Sequence, residues 1–252
     1  MNVAWLLLVI LFGLMLVIGG VRGLKSFLTL FTNFITLFVM LILISFKLDP
    51  IKVTVFGSII ISSVTLFFIN GFNKKTIAAL LSVTLVVGLT LLLAVSTASN
   101  AHIQGFGQEQ AESIAYLIPQ AQLDFNKIVI CEILLGLLGA IIDVAISIAS
   151  AMQEIHRNNL QLSKNSLMHS GINIGKDILG TMTNTLLFAF IGGFMTLLIW
   201  FSKLHYTLAD IVNAKVFGAE VVQILCSGIG IILIIPVTAY LASRILWQKE
   251  LE

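Results

Sequence analysis

Four carboxylates stand in or at the edge of long apolar stretches: Glu132, Asp143, Asp177 and Glu220. A charged side chain in hydrocarbon is expensive, so such residues usually mark an ion path, a proton relay or a helix-to-helix lock. Asp143 is the deepest of the four. Glu132, Gly136, Gly139, Asp143, Ser147 and Ser150 follow one another at intervals of three and four, which places them on one face of a helix. That face is small and polar, and Ile, Leu and Val fill most of the rest. Small residues let another helix approach closely. A carboxylate in such a groove has two uses: binding a proton or cation, or joining helices through a hydrogen bond. Burial without a basic neighbour should raise its pKa.

A later stretch answers this face. Asn173, Gly175, Lys176, Asp177, Gly180, Thr181, Thr183, Asn184 and Thr185 crowd one segment, with Asp177, Thr181 and Asn184 on a common side. Asn184 or Thr181 is expected to face Asp143, and Lys176 to pair with Asp177. Asp143, Asp177, Asn184 and Thr181 are therefore the candidate coupling residues. Asp177 fits a helix-start anion equally well. Glu132 and Glu220, near the opposite interface, can snorkel to water. Further on come Gln223, Ser227, Gly228, Gly230, Pro236 and Thr238, and Pro236 predicts a kink.

The elements that carry these residues follow from composition. The chain has 252 residues, 58% apolar and only 10% charged, and its mean hydropathy is +1.07. Ordinary soluble domains carry roughly 25% charged residues. A spanning helix needs about 20 apolar residues, and seven stretches qualify: 3–21, 27–46, 53–70, 77–98, 128–151, 178–201 and 217–246. Strand alternation is absent, and only helices or closed barrels satisfy the backbone in lipid. The expectation is an all-α polytopic bundle of about seven spans in one transmembrane domain over 1–252, without a soluble domain. The first stretch lacks a positive leading region and reads as a retained span. Ser163 can cap a short amphipathic helix over 163–174, expected to lie on the membrane interface.

Counting basic residues in alternate loops gives orientation. Arg22, Lys25, Lys74, Lys75, Arg157, Lys164, Lys176, Arg244 and Lys249 fall on one side, and Lys47, Lys52, Lys127, Lys203 and Lys215 on the other. The richer side is expected in the cytoplasm, with the N-terminus outside and the C-terminus inside.

Other chemistry finds little footing. A net charge of +2, scattered along the chain, argues against nucleic acid. Cys131 and Cys226 sit in apolar runs and read as small filler. His102, His156, His169 and His205 show no metal-ligand spacing. Gly171 and Gly175 precede Lys176-Asp177 at the wrong spacing for a phosphate loop. No catalytic residue, metal or cofactor is expected.

Three runs resemble the YibE/F-like family of bacterial membrane proteins: Leu138 to Ala151, Gly171 to Leu186, and Asn70 to Thr76. The resemblance extends from about Val53 onward. It implies a multi-pass protein of the bacterial cytoplasmic membrane that pairs with a longer relative or with itself. A weaker resemblance, in the order of a Gly-rich Asp helix, a polar turn (Glu154, Arg157, Asn158) and a Thr/Asn-rich helix, is to the membrane core of SecD/SecF and resistance-nodulation-division transporters. It implies a subunit of a proton- or cation-coupled exporter, without the large extracytoplasmic domain of those proteins. The alternative is a non-transporting scaffold for a larger membrane protein.

Overall fold

The computed structural model describes residues 3–101, 124–159 and 161–247. These form helices α1 (Val3–Ser45), α2 (Pro50–Asn70), α3 (Lys74–Ala101), α4 (Phe125–Asn158), α5 (Lys164–Lys203), the short α6 (Leu208–Asn213) and α7 (Lys215–Trp247). All but α6 are long and apolar enough to cross a membrane. The 102–123 part of the predicted outer loop lies outside the described residues, as do His102 and Lys249.

The first two predicted spans are joined in α1, which is 43 residues long and breaks sharply at Gly20 (φ 53°, ψ −134°). Only glycine adopts that backbone readily. The chain reverses there: Gly23 touches the Met15 carbonyl, and the Phe12 and Phe27 rings meet at 4.8 Å. In a straight helix those rings would stand about 22 Å apart. Gly71 (φ 77°) makes the next sharp turn, between α2 and α3. There Asn73 and Thr76 cap the start of α3 reciprocally: the Asn73 amide donates to Thr76 Oγ1 at 3.0 Å, and the Thr76 amide to Asn73 Oδ1 at 3.1 Å. The Asn70 to Thr76 run is thus a turn built for its backbone.

Helices α3, α4 and α7 form the central layer. They approach through small residues, because lipid offers no hydrophobic drive between helices and close van der Waals contact must supply it. Gly230 of α7 meets Leu137 and Ile141 of α4 and Thr90 of α3. Helix α2 lies against α4 with Thr54, Ser58 and Ser62 buried along one edge. Helix α1 packs chiefly on α2, where Met40 fills the space over Gly57 and Asn33 Nδ2 donates to Thr65 Oγ1 at 3.0 Å. Helix α5 crosses α7 through Gly171 and Gly175, which seat Ala239 and Ile235. The glycine pair that failed as a phosphate loop is a helix-crossing point.

One expectation is corrected. Segment 163–174 is not a separate interfacial helix. It is the first turns of the 40-residue α5, capped by Ser163 as expected. Leu167 and Gly171 are buried on the bundle, which outweighs the gain from lying on the interface. Pro236 lies inside α7, which runs from Lys215 to Trp247.

The reversals sort the termini of the helices to two ends. At one, Asp49 caps α2 by accepting from the Ile51 amide at 3.0 Å and pairs with Lys127 of α4 at 2.9 Å. The Lys127 hydrogen bond holds the Asp49 carboxyl below the ordinary carboxylate range. At the other end the His156 ring of α4 lies 5.8 Å from Trp247 of α7. Lys47, Lys52, Lys127, Lys203 and Lys215 gather toward the Asp49 end, and the other described basic residues toward the His156 end.

The α5–α7 crossing makes a direct prediction. Gly175→Val must displace Ile235 and should cost about 1–3 kcal/mol. Gly192→Val, at a position with open space around it, should leave the melting temperature in detergent almost unchanged. Equal melting of the two variants would contradict the crossing.

Candidate functional site

Helix α4 separates its two faces cleanly. Ile133, Leu134, Leu137, Ile141, Val144, Ala145 and Ile148 are buried against α2, α3, α5 and α7. Glu132, Gly136, Gly139, Asp143 and Ser147 form the exposed face, and Ser150 is half-buried. The sequence pattern had placed these residues together correctly but had pointed them inward. The structure turns them out, because the branched apolar residues interlock with α3 and α7 while the glycines offer little area to bury.

At Gly136 the face is partly covered. A Cβ there would stand 2.9 Å from the Gln223 amide nitrogen and 3.4 Å from the Phe190 ring. At Gly139 nothing comes within 4 Å. Asp143, one turn further, makes no hydrogen bond or ion pair among the described residues. It therefore sits on an open, unpartnered strip, without the Asn184 or Thr181 neighbour expected for it.

The answering residues of α5 do not reach it. Among the contacts from α5 to α4 are Phe190, at Gly136, and Gly171, at Met152. Thr181 precedes Phe190 by half a turn of angle, about 180° around the helix, and Asp177 and Asn184 lie near it. All three are exposed, on the side away from α4. The reason is competition: Ile178, Leu179, Met182 and Leu186 take the side that packs on the core. Thr181 Oγ1 bonds its own backbone, donating to the Ile178 carbonyl at 2.9 Å. The Lys176–Asp177 ion pair is not formed. These neighbours in sequence point around the helix in different directions.

Toward the Asp49 end, the α4 face opens into a cavity of about 460 Å³ between α1, α2, α4 and α7. Its polar lining includes Glu132, Gln223 and Thr54. Thr54 is fully buried, and its hydroxyl lies beside the Cys131 thiol rather than bonding to its own helix. Glu220 of α7 is within electrostatic range of Glu132. Sequence reasoning missed Thr54; its signal was the four-residue spacing of Thr54, Ser58 and Ser62 in an otherwise apolar helix. Cys131 and Cys226 are buried free thiols. Among the described residues no group of three His, Cys, Asp or Glu side chains is placed to hold a metal.

A family model described as YibE/F-like protein matches residues 7–248, from α1 through α7. The chain belongs to the YibE/F-like family. The match begins well before Val53, where the sequence motifs start, so the α1 hairpin is part of the family's domain. No curated protein and no solved structure matches the chain, and the likeness to SecD/SecF gains no support from either. In this YibE/F-like protein, the Leu138 to Ala151 motif is the two-faced α4. The Gly171 to Leu186 motif is the α5–α7 crossing with an exposed polar side.

The separation of Asp143 from Asn184 can be measured. A thermal-unfolding double-mutant cycle of Asp143→Asn and Asn184→Ala in the purified chain should give a coupling below about 0.5 kcal/mol. A coupling of 1 kcal/mol or more, by the same principle, would mean that the two side chains touch.

Proposed function

We propose that this chain is one membrane subunit of a proton- or cation-coupled transporter, in which Asp143 binds and releases the coupling ion in a groove completed by a second chain. The observation that carries the reading is the open strip along α4. A carboxylate left facing lipid is too costly to keep without a partner, water or an ion, and nothing in the described chain supplies one. Gly139, with open space above it, leaves room for another helix to close over the strip. Close approach at small residues would bring the second backbone within reach of the carboxylate. A longer member of the same family, or a second copy of this chain, fits that role.

The exposed Asp177, Thr181 and Asn184 on α5 favour a second reading, a scaffold for a larger membrane protein. Here the polar side of α5 is a docking surface, and the Asp143 strip a hydrogen-bonding lock. Under either reading no bond-making chemistry is assigned to the chain. The excess of basic residues at the His156 end supports placing that end in the cytoplasm and the N-terminus outside, in the cytoplasmic membrane.

Asp143→Asn separates the two readings, since it keeps size and hydrogen bonding but removes titration. Proton flux should be followed with a pH-sensitive dye in vesicles made from cells that express the protein with its natural partners. The coupled transporter should lose flux by at least about tenfold, equivalent to ~1.4 kcal/mol, with assembly unchanged on native gels. Normal flux in the assembled variant would rule out coupling at Asp143.

A further inference from the structure

The cavity at the Asp49 end is a different place from Asp143. Glu132 lies about 16 Å along α4 from it. The walls of the cavity are of two kinds. Leu37, Leu41 and Ile44 of α1 form an apolar side, and Thr54, Glu132 and Gln223 converge from α2, α4 and α7. The three polar groups are level with one another, each roughly 6–12 Å along its helix from the Asp49 end. This is the make-up of a small-molecule site: about 460 Å³ of space, mostly apolar, with a few placed polar groups.

The acidic group of the cavity is left unused by the protein. Thr54 is fully buried, with the weak thiol of Cys131 beside its hydroxyl. Gln223 is only 7% exposed. Its amide nitrogen is accommodated by Gly136, where any side chain would intrude. Glu132 has no hydrogen bond or ion pair among the described residues, and the nearest basic residue in sequence, Lys127, is held by Asp49 at 2.9 Å. Glu220 adds a second negative charge within electrostatic range. The ionisable groups at the polar end are therefore acidic, with no basic side chain among the described residues paired to them.

These features select the ligand. A hard metal ion such as Ca²⁺ requires about six to eight oxygen ligands, and the described residues supply no such cluster. Apolar walls over an acidic end suit an ion of low charge density instead. We propose that this cavity binds a lipophilic organic cation, such as an amphipathic ammonium compound, with its charge at Glu132 and its apolar body against α1. This names a substrate class for the exporter reading and depends on that reading only for the word substrate, since binding is tested without transport. Helix α1 packs chiefly on α2 rather than on α4, so the cavity sits in the gap that it leaves beside α4.

The test uses the full chain in nanodiscs, with rhodamine 6G, a fluorescent lipophilic cation carrying N–H groups, and empty nanodiscs as the blank. Fluorescence anisotropy should show saturable binding above the blank. Glu132→Gln should weaken it by about tenfold or more, the loss expected for removing one charge partner. Leu37→Trp, which fills the cavity from its apolar side, should abolish it while the melting temperature is retained. Gly192→Val, at an open position on α5 outside the cavity lining, should bind as the native chain does, so that loss of binding reports on the cavity. Equal affinity of the native chain and Glu132→Gln, or no binding above the blank, would overturn the proposal. So would a phospholipid that stays bound in native mass spectrometry and cannot be displaced by the dye.

Discussion

The structure depends on one constraint: in hydrocarbon each polar group must find a partner, because no water is there to take its place. Within the helices the backbone meets this by itself. Many hydroxyls meet it by turning back on their own helix, as Ser62 does to the Ser58 carbonyl at 2.7 Å and Thr90 to the Val86 carbonyl at 2.8 Å. Such side chains become small and self-satisfied, and α3 packs closely through them, while Thr54 and Ser58 of α2 and Ser227 and Thr238 of α7 are buried without such a bond. Helix α4 stands at the centre of this arrangement and breaks its rule. Its interlocking Ile and Leu residues take the interior, and its carboxylates are left on the outside face. The fold is thus complete as a bundle and incomplete as a polar network. The account of function rests on that mismatch.

Much of the architecture was legible from hydropathy. Each of the seven apolar stretches lies within a long helix, and Ser163 caps α5 as its type and position predicted. Junctions were harder to read. Arg22 and Lys25 marked the break between the first two spans, but nothing in composition says that the turn is made at Gly20, with helix directly on both sides of it. Similarly, the polar character of 163–174 resembles an interfacial segment until Gly171 and Gly175 find Ala239 and Ile235. Those contacts lie about 60 to 70 residues away in sequence, beyond the reach of local pattern.

The candidate site shows the same limit. Periodicity establishes which residues share a face, and Glu132 to Ser147 do. It does not say which neighbour the face meets. Either face of α4 is acceptable inside a bundle, one through close approach of small residues and the other through interlocking of large ones. The outcome was set by α3 and α7, whose Thr90 and Gly230 leave room for Leu137 and Ile141. On α5, proximity in sequence was similarly misleading: Asp177 and Asn184 share a side, but the apolar residues between them decide that it faces away. Thr54 escaped notice because a lone hydroxyl in an apolar helix usually bonds to its own backbone, and only the structure shows one that does not.

The central claim is that the α4 strip is closed by another chain. A photo-activatable cross-linker placed at Gly139, where the space is open, tests this in native membranes. The account predicts a covalent adduct to a second polypeptide, either a longer family member or another copy of this chain, and no such adduct from the buried Ile141. Cross-linking from Gly139 only to lipid, or only to α1 or α5 of the same chain, would contradict it.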